Sequence, residues 1–138
     1  MLNDLFTYLA ADVTLRSLIT GATVSAPRIF PDIAPADTVA PYLIYGPISE
    51  GSTDEIMDKM TVQISVFVSE FDQVLANSII KRLKYLLDRQ DQIQGQIAST
   101  EYNIYWCKHV GGGSTPDFVK ETREYHRAAM FAFKFKTK

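Results

Sequence analysis

The strongest structural constraint in the sequence is a run of alternating side chains between Met60 and Ser69. Apolar residues occupy every second position and mostly polar residues lie between them: Met60, Val62, Ile64, Val66 and Val68 alternate with Thr61, Gln63, Ser65 and Ser69. Phe67 is the one large apolar residue in the second set. Successive side chains of a β-strand point to opposite faces, so this pattern predicts a strand with one face in a core.

Two other segments have apolar residues at helical spacing. The first predicts a single helix from Asn3 to a stop near Gly21, with an apolar stripe of Leu5, Phe6, Leu9, Val13, Leu18 and Ile19. The second predicts a helix from Ser69 to Arg89, with Val74, Leu75, Ile79, Leu83, Leu86 and Leu87 on one face. A helix that directly follows a strand in so short a chain must pack on the sheet.

The remaining segments complete the predicted sheet. We expect a short edge strand at 28–30, a strand at 42–45 that ends at Gly46 and Pro47, a weak edge strand within 90–100, and strands at 101–110 and 122–135. The last two should form an antiparallel hairpin across the glycine-rich connection 111–116. The sequence therefore predicts one α/β (α+β) domain over 1–138, with a mainly antiparallel sheet of about four to five strands flanked by two helices.

A register for the final hairpin follows if His109 lies opposite His126. It pairs Ile104 with Phe131, Tyr102 with Phe133 and Glu101 with Lys134, and each pair is chemically compatible. It also gathers one apolar face against the helices: Tyr102, Ile104, Trp106, Phe131, Phe133 and Phe135. The other face carries Phe67, Ala128, Met130 and Ala132, which is less polar than a solvated face. We expect the first helix to cover that face, and the alternative is a subunit interface.

Composition excludes several classes of protein. Of 138 residues, 46% are hydrophobic and 22% are charged, which is incompatible with a disordered chain. The formal net charge of −2 argues against tight general binding of nucleic acid. We expect no export signal and no membrane span, because the first residues lack a basic, apolar leader and no apolar run approaches about 20 residues. The single cysteine, Cys107, fits a reducing compartment.

Three reactive side chains would meet in the predicted register: Cys107, His109 and His126. A zinc site would need a further ligand, and no Cys-x-x-Cys or His-x-x-x-His spacing supplies one. A mid-strand cysteine also lacks the helix N-terminus or cation that would stabilise a thiolate. The connection 111–115 lacks the spacing of a phosphate-binding loop. We therefore expect no catalytic residue, no metal and no cofactor.

Charge is divided unevenly along the chain. Residues 1–60 contain eight acidic and three basic side chains, whereas 61–138 contain eight acidic and eleven basic ones. The acidic excess includes an exposed loop or hairpin tip at 49–58 with Glu50, Asp54, Glu55 and Asp58, and the second helix carries Lys81, Arg82 and Lys84. These opposite charges can be satisfied within one subunit or between neighbouring subunits.

The order of these elements resembles a known family. The N-terminal helix, the proline-punctuated segment, Pro41-Tyr42-Leu43-Ile44-Tyr45, the acidic loop, the strand 60–67 and the helix 71–89 are similar to the tail completion proteins of long-tailed bacteriophages and related prophage or gene-transfer particles. These are also called tail terminator or head-to-tail joining proteins. The resemblance implies a non-enzymatic virion protein, assembled in the bacterial host cytoplasm, which forms a ring, commonly hexameric, at the head-proximal end of the tail.

Such a ring would end growth of the tail tube and join the tail to the head connector. The implied partners are other copies of the chain, the tail tube protein and the head–tail connector protein, with DNA passing through without tight binding and with no membrane. We expect the acidic loop to face the channel or an adjacent subunit, since a closed ring mates two different patches. The alternative is a small ligand-binding α/β domain with an aromatic pocket around Trp106.

Overall fold

A computed structural model describes residues 1–19, 22–23, 25–52, 57–69, 72–112 and 124–138. These residues form three α-helices, one short 3-10 helix and five strands. The α-helices are α1 (Leu2–Ala10), α2 (Val13–Leu18) and α3 (Gln73–Leu87), and the 3-10 helix is Asp91–Ile93. The strands are β1 (Ile29–Pro31), β2 (Tyr42–Ser52), β3 (Asp58–Ser69), β4 (Tyr102–Gly111) and β5 (Glu124–Thr137).

The five strands form one sheet in the order β1-β2-β3-β5-β4. β1 is parallel to β2, and the other three pairs are antiparallel. This confirms the predicted α+β class, the mainly antiparallel sheet and the short edge strand near Ile29. The alternating segment forms β3, with Val62, Ile64, Val66 and Val68 fully buried on its core face.

The predicted single N-terminal helix is wrong, because the chain breaks after Ala10 into α1 and α2. Asp12 has an extended backbone, and its carboxylate oxygen Oδ2 accepts a hydrogen bond from the Leu15 amide at 2.8 Å. An aspartate in this position caps a new helix. The apolar periodicity hides the break, because Val13 lies four residues after Leu9 and continues the predicted stripe. The prediction for Val13 is wrong, since this side chain is 70% exposed and Leu15 is fully buried instead.

All three helices lie on the same face of the sheet. On α1, the ring of Phe6 stacks on Tyr45 of β2 at a centroid distance of 6.1 Å. The Tyr8 hydroxyl donates to the backbone carbonyl of Leu86 in α3 at 3.0 Å. The prediction that the first helix covers the opposite face is therefore wrong. Both helical stripes join one core, because the sheet presents its fully buried residues only to that side.

Two predicted boundaries also differ. β2 does not end at Gly46 and Pro47 but continues to Ser52, with a shift of register between Pro47 and Ser49. A bulge of this kind lets a strand tolerate a proline, which has no amide to donate. The predicted acidic loop therefore consists partly of strand, since 49–52 belong to β2 and Asp58 begins β3. Its tip, 53–56, lies outside the described residues.

The predicted edge strand within 90–100 is wrong. The segment forms the 3-10 helix and turns. It pairs with β4 at Gln90, which exchanges two backbone hydrogen bonds with Cys107 at 2.7 and 3.2 Å. Ile93 and Ile97 are buried in the core. The apolar residues of the segment therefore pack individually into the core and do not form one face of a strand. Within the described part of the chain, no helix is long and apolar enough to cross a lipid bilayer.

Candidate functional site

The final hairpin exists, but its predicted register is wrong. His109 lies opposite Phe131 rather than His126, and Tyr102 lies opposite Thr137 rather than Phe133. β5 extends past the end of β4, so its first residues pair only with β3. Two shifts of register along β4, between Ile104 and Trp106 and between His109 and Gly111, add further displacement. Such bulges change which face a side chain occupies.

The first of these bulges determines the place of Trp106. Ile104 and Cys107 are buried on the core side, with Cys107 opposite Phe133. Trp106 lies opposite Lys134, whose ammonium nitrogen is 4.9 Å from the centre of the indole ring. The tryptophan is therefore on the face without helices. The prediction that it joins Phe131 and Phe133 in the core is wrong, and so is the aromatic core pocket that rested on it.

The predicted reactive cluster does not form. Cys107 and His109 share the core side of β4, but His126 lies opposite Phe67 of β3, beyond the end of β4. Burial raises the pKa of the Cys107 thiol well above its usual range, which disfavours the thiolate. Burial, aided by Lys84, lowers the pKa of His109. Among the described residues, no group of three or more potential ligands could hold a metal ion.

The face of the sheet opposite the helices, here called the open face, is the main candidate surface. Within the described residues no helix lies on it. Its residues are Phe30, Tyr42, Ile44, Gly46, Gly51, Lys59, Thr61, Gln63, Ser65, Phe67, Trp106, Lys108, Glu124, His126, Ala128, Met130, Ala132, Lys134 and Lys136. Its centre combines small residues with Gln63 and Met130, which lie opposite each other on β3 and β5. This is the surface that the sequence indicated as too apolar for solvent.

One end of the open face is a row of aromatic rings across four strands. Tyr42 stacks on Phe67 at a centroid distance of 4.9 Å, and Phe67 stacks on His126 at 4.6 Å. Phe30 meets the other edge of Tyr42 at 6.3 Å. Stacked rings of this kind add rigidity beyond the burial of their area. The row fixes the register of β2, β3 and β5 at this end.

A buried carboxylate anchors the aromatic row. The Tyr42 hydroxyl donates to Glu124 Oε2 at 2.9 Å, and both residues are buried. Burial and the hydrogen bond to Glu124 raise the pKa of Tyr42 to about 12. The phenol therefore remains protonated across the physiological range and satisfies a charge that would be costly to bury alone.

The predicted acidic and basic residues lie on different parts of the molecule. Glu50 is exposed near the end of β2, and Asp58 begins β3 beside it, whereas Asp54 and Glu55 lie outside the described residues. Lys81 and Lys84 are exposed on α3, and neither forms an ion pair with a described acid. Among the residues that the structure describes, no ion pair joins the predicted acids to Lys81 or Lys84.

Arg82 differs from its two lysine neighbours. Its guanidinium donates from Nε to Asp12 Oδ2 at 2.9 Å and from Nη2 to Asp12 Oδ1 at 2.7 Å. It also lies over the ring of Tyr85, 4.5 Å from its centre. Arg82 therefore joins α2 to α3 within the subunit. Sequence reasoning missed this pairing because the single predicted helix gave Asp12 no special position.

The geometry defines the class of the protein: a small α+β domain whose helices cover one face of a five-stranded, mainly antiparallel sheet. The model of the family described as tail completion protein gp17 matches residues 3–117. The chain therefore belongs to the tail completion protein gp17 family. No curated protein matches the sequence.

A solved structure has the same fold. A chain in the virion of a native gene transfer agent particle superposes with a TM-score of 0.65 at 12% identity, covering 96% of this chain and 91% of that one. Membership of this family identifies the chain as a structural, non-enzymatic protein of the phage tail.

Proposed function

We propose that the protein closes into a hexameric ring at the head-proximal end of the tail, ends growth of the tail tube and joins the tail to the head connector. Membership of the tail completion family supports this proposal. The observation that carries it is the open face. Because all the described helices pack on one side of the sheet, the other side is a half-buried, partly apolar surface. Such surfaces commonly mark contacts with partners.

We assign the contact between neighbouring subunits to two patches of opposite charge, one on the β2–β3 hairpin and one on α3. The exposed acid Glu50, with Asp54, Glu55 and Asp58 of the same hairpin, would meet Lys81 and Lys84 of the next copy. A head-to-tail contact uses two different patches on each subunit and generates a closed ring when the rotation closes. Complementary charges of this kind set register and speed association. Arg82 is bound to Asp12, so we assign it to the fold rather than to the interface.

The two ends of such a ring would meet different partners. One would contact the last layer of tail tube protein and the other the head–tail connector, while DNA passes along the axis without tight binding. The net charge of −2 accords with transient passage rather than with storage of nucleic acid.

A charge-swap experiment tests the ring and its interface together. The variants are E50K/D54K/E55K and K81E/K84E, and their assembly is followed by native mass spectrometry with purified tail tube protein present. Each variant alone should lose the ring, because like charges would then oppose each other. The two variants mixed should recover mixed rings only if the two patches face each other.

A matched control separates a local effect from a change in net charge. D37K/D91K/E101K alters three exposed acids elsewhere by the same total charge and should assemble like the parent protein. Rings that form equally well in all variants would refute the assigned patches. A chain that stays monomeric at every concentration, even with tail tubes, would refute the ring itself.

A further inference from the structure

Four lysines occupy the end of the open face opposite to the aromatic row. Lys59 on β3 lies directly across from Lys134 on β5, and Lys136 follows two residues later on the same side of β5. Lys108 on the neighbouring strand β4 lies opposite Ala132 and completes the group. Trp106, the only tryptophan of the chain, lies among them beneath Lys134.

This arrangement is unfavourable in the isolated subunit. Like charges directly opposite each other on neighbouring strands destabilise a sheet. None of the four lysines forms an ion pair with a described residue. The acid that β5 carries on this side, Glu124, lies at the far end of the strand and is bound to Tyr42. Glu50 and Asp58 lie nearby but occupy the other side, opposite Met60 and Phe135. The cluster therefore has the charge of a binding site whose anion comes from outside the subunit.

We propose that this lysine cluster binds the phosphate backbone of DNA. The cluster spans β3, β5 and β4, and strands lie about 4.8 Å apart, so it is about 10 Å wide. A DNA strand carries one phosphate per 3.4 Å of helix axis, so about three phosphates face a surface of this width. Lysines supply point charges that can follow a moving backbone without reading its sequence.

The shape of the surface favours DNA over an acidic protein segment. The neighbours of the lysines on this side are small or flat: Gly51, Thr61 and Ala132. A continuous polyanion needs only a flat cationic surface, whereas a protein partner is held mainly by side chains that fill pockets. The site lies on a tail protein, where DNA is the cargo, and it does not depend on closure of the ring.

The expected affinity is weak and strongly dependent on salt. Each phosphate contact contributes a slope of about −0.9 to log K against log salt, so three contacts give a slope of about −2.7. Affinity should then fall about 40-fold between about 50 and 200 mM salt. Contacts of this strength suit a surface that guides DNA without holding it.

The experiment measures binding of a fluorescein-labelled DNA duplex of about 30 base pairs to the full chain by anisotropy, with Trp106 emission recorded in the same titration. The variant K59Q/K134Q removes two of the lysines, and K81Q/K84Q removes two exposed lysines from α3 as a matched control. All three proteins are compared at a concentration at which each is monomeric, so that the role assigned to Lys81 and Lys84 in the ring does not enter the comparison. The first should weaken binding at least tenfold and reduce the salt slope by about 1.8, at about 0.9 per contact. The control should bind within twofold of the parent protein.

Emission from Trp106 locates the contact, because an anion at Lys134 must disturb the ammonium over the indole ring. Absence of binding at low salt, unchanged Trp106 emission on binding, or equal weakening in both variants would overturn the proposal. Tighter binding of polyglutamate than of DNA at equal salt would also overturn it, in favour of an acidic protein partner. Circular dichroism of each variant checks the fold, and the oligomeric state measured in the same samples keeps this result separate from the ring.

Discussion

Asp12 connects the break between α1 and α2 to the packing of α3. Its carboxylate caps α2 through the Leu15 amide and also binds both donor groups of Arg82. The hydrogen bond from Arg82, followed by that from Leu15, lowers the pKa of Asp12 against the opposing effect of burial. Replacing this one side chain should therefore weaken both the start of α2 and its attachment to α3.

The size of the effect follows from the two interactions. Loss of a capping carboxylate costs about 1 kcal/mol. The side chains of Arg82 and Asp12 are 24% and 14% exposed, so solvent screens the pair and its loss costs about 1 kcal/mol. Asp12→Ala should lower the free energy of unfolding by about 2 kcal/mol, whereas Asp12→Asn, which still caps, should lower it by about 1 kcal/mol. For a domain of this size the melting temperature falls about 4 °C per kcal/mol.

Urea and thermal unfolding of D12A, D12N, R82Q and the double variant D12N/R82Q measure these values. The double variant should be at most about 0.5 kcal/mol less stable than D12N alone, because either change already removes the ion pair. Equal losses in D12A and D12N would show that the cap contributes nothing. Fully additive losses in D12N and R82Q would show that the pair is not coupled, and either result would refute the reasoning.

The same carboxylate has a defined dependence on pH. Because its pKa is lower in the folded state, its stabilisation is present above the unfolded value of about 3.9 and disappears as pH falls through the folded value. The difference in stability between the parent protein and D12N should therefore shrink below about pH 4.

Two further predictions concern close contacts of the sheet. Tyr42→Phe leaves the buried Glu124 without its phenol donor and should cost about 2 kcal/mol in urea unfolding. Because the folded pKa of Tyr42 is about 12, its contribution is present below about pH 10 and is lost as pH rises toward 12, a loss that Tyr42→Phe should not show. At Gly112, an added Cβ would lie 2.4 Å from the carbonyl oxygen of Ala128, so Gly112→Ala should cost about 1–3 kcal/mol. Gly51→Ala, with nothing within 4 Å of the added carbon, is the control and should change stability by less than about 1 kcal/mol.

The elements with strong local periodicity could be predicted from the sequence. β3 and α3 have uninterrupted apolar patterns, and burial follows those patterns except at Val74, which belongs to the predicted apolar face of α3 but is 78% exposed. The split of the first helix could not be predicted in this way, because Val13 lies four residues after Leu9 and continues an apparent helical stripe, although in the structure Leu15 is buried in its place. The decisive partner of the capping residue Asp12, Arg82, is 70 residues away in sequence.

The register of the last hairpin had a different obstacle. Alternation of side chains limits the pairing of β4 with β5 to every second register. It does not indicate how many residues of β5 extend past the end of β4. A bulge then shifts the alternation of side chains between the two faces of the strand. For this reason Trp106 lies on the open face rather than on the predicted core side, whereas Ile104 is in the core. Polar and apolar pattern alone does not contain this information, because tryptophan is compatible with either face.

The charged half of the open face illustrates why surfaces are harder to predict than cores. Each of its lysines is an ordinary exposed residue in its own strand, and only the pairing of β3 with β5 and of β5 with β4 places them together. A core forms because burying apolar surface lowers the free energy of any fold that brings apolar side chains together. No comparable effect brings like charges together within one subunit, because the repulsion between them destabilises the folded state. No acid among the described residues pairs with this lysine cluster, and we therefore expect its anion to come from a binding partner.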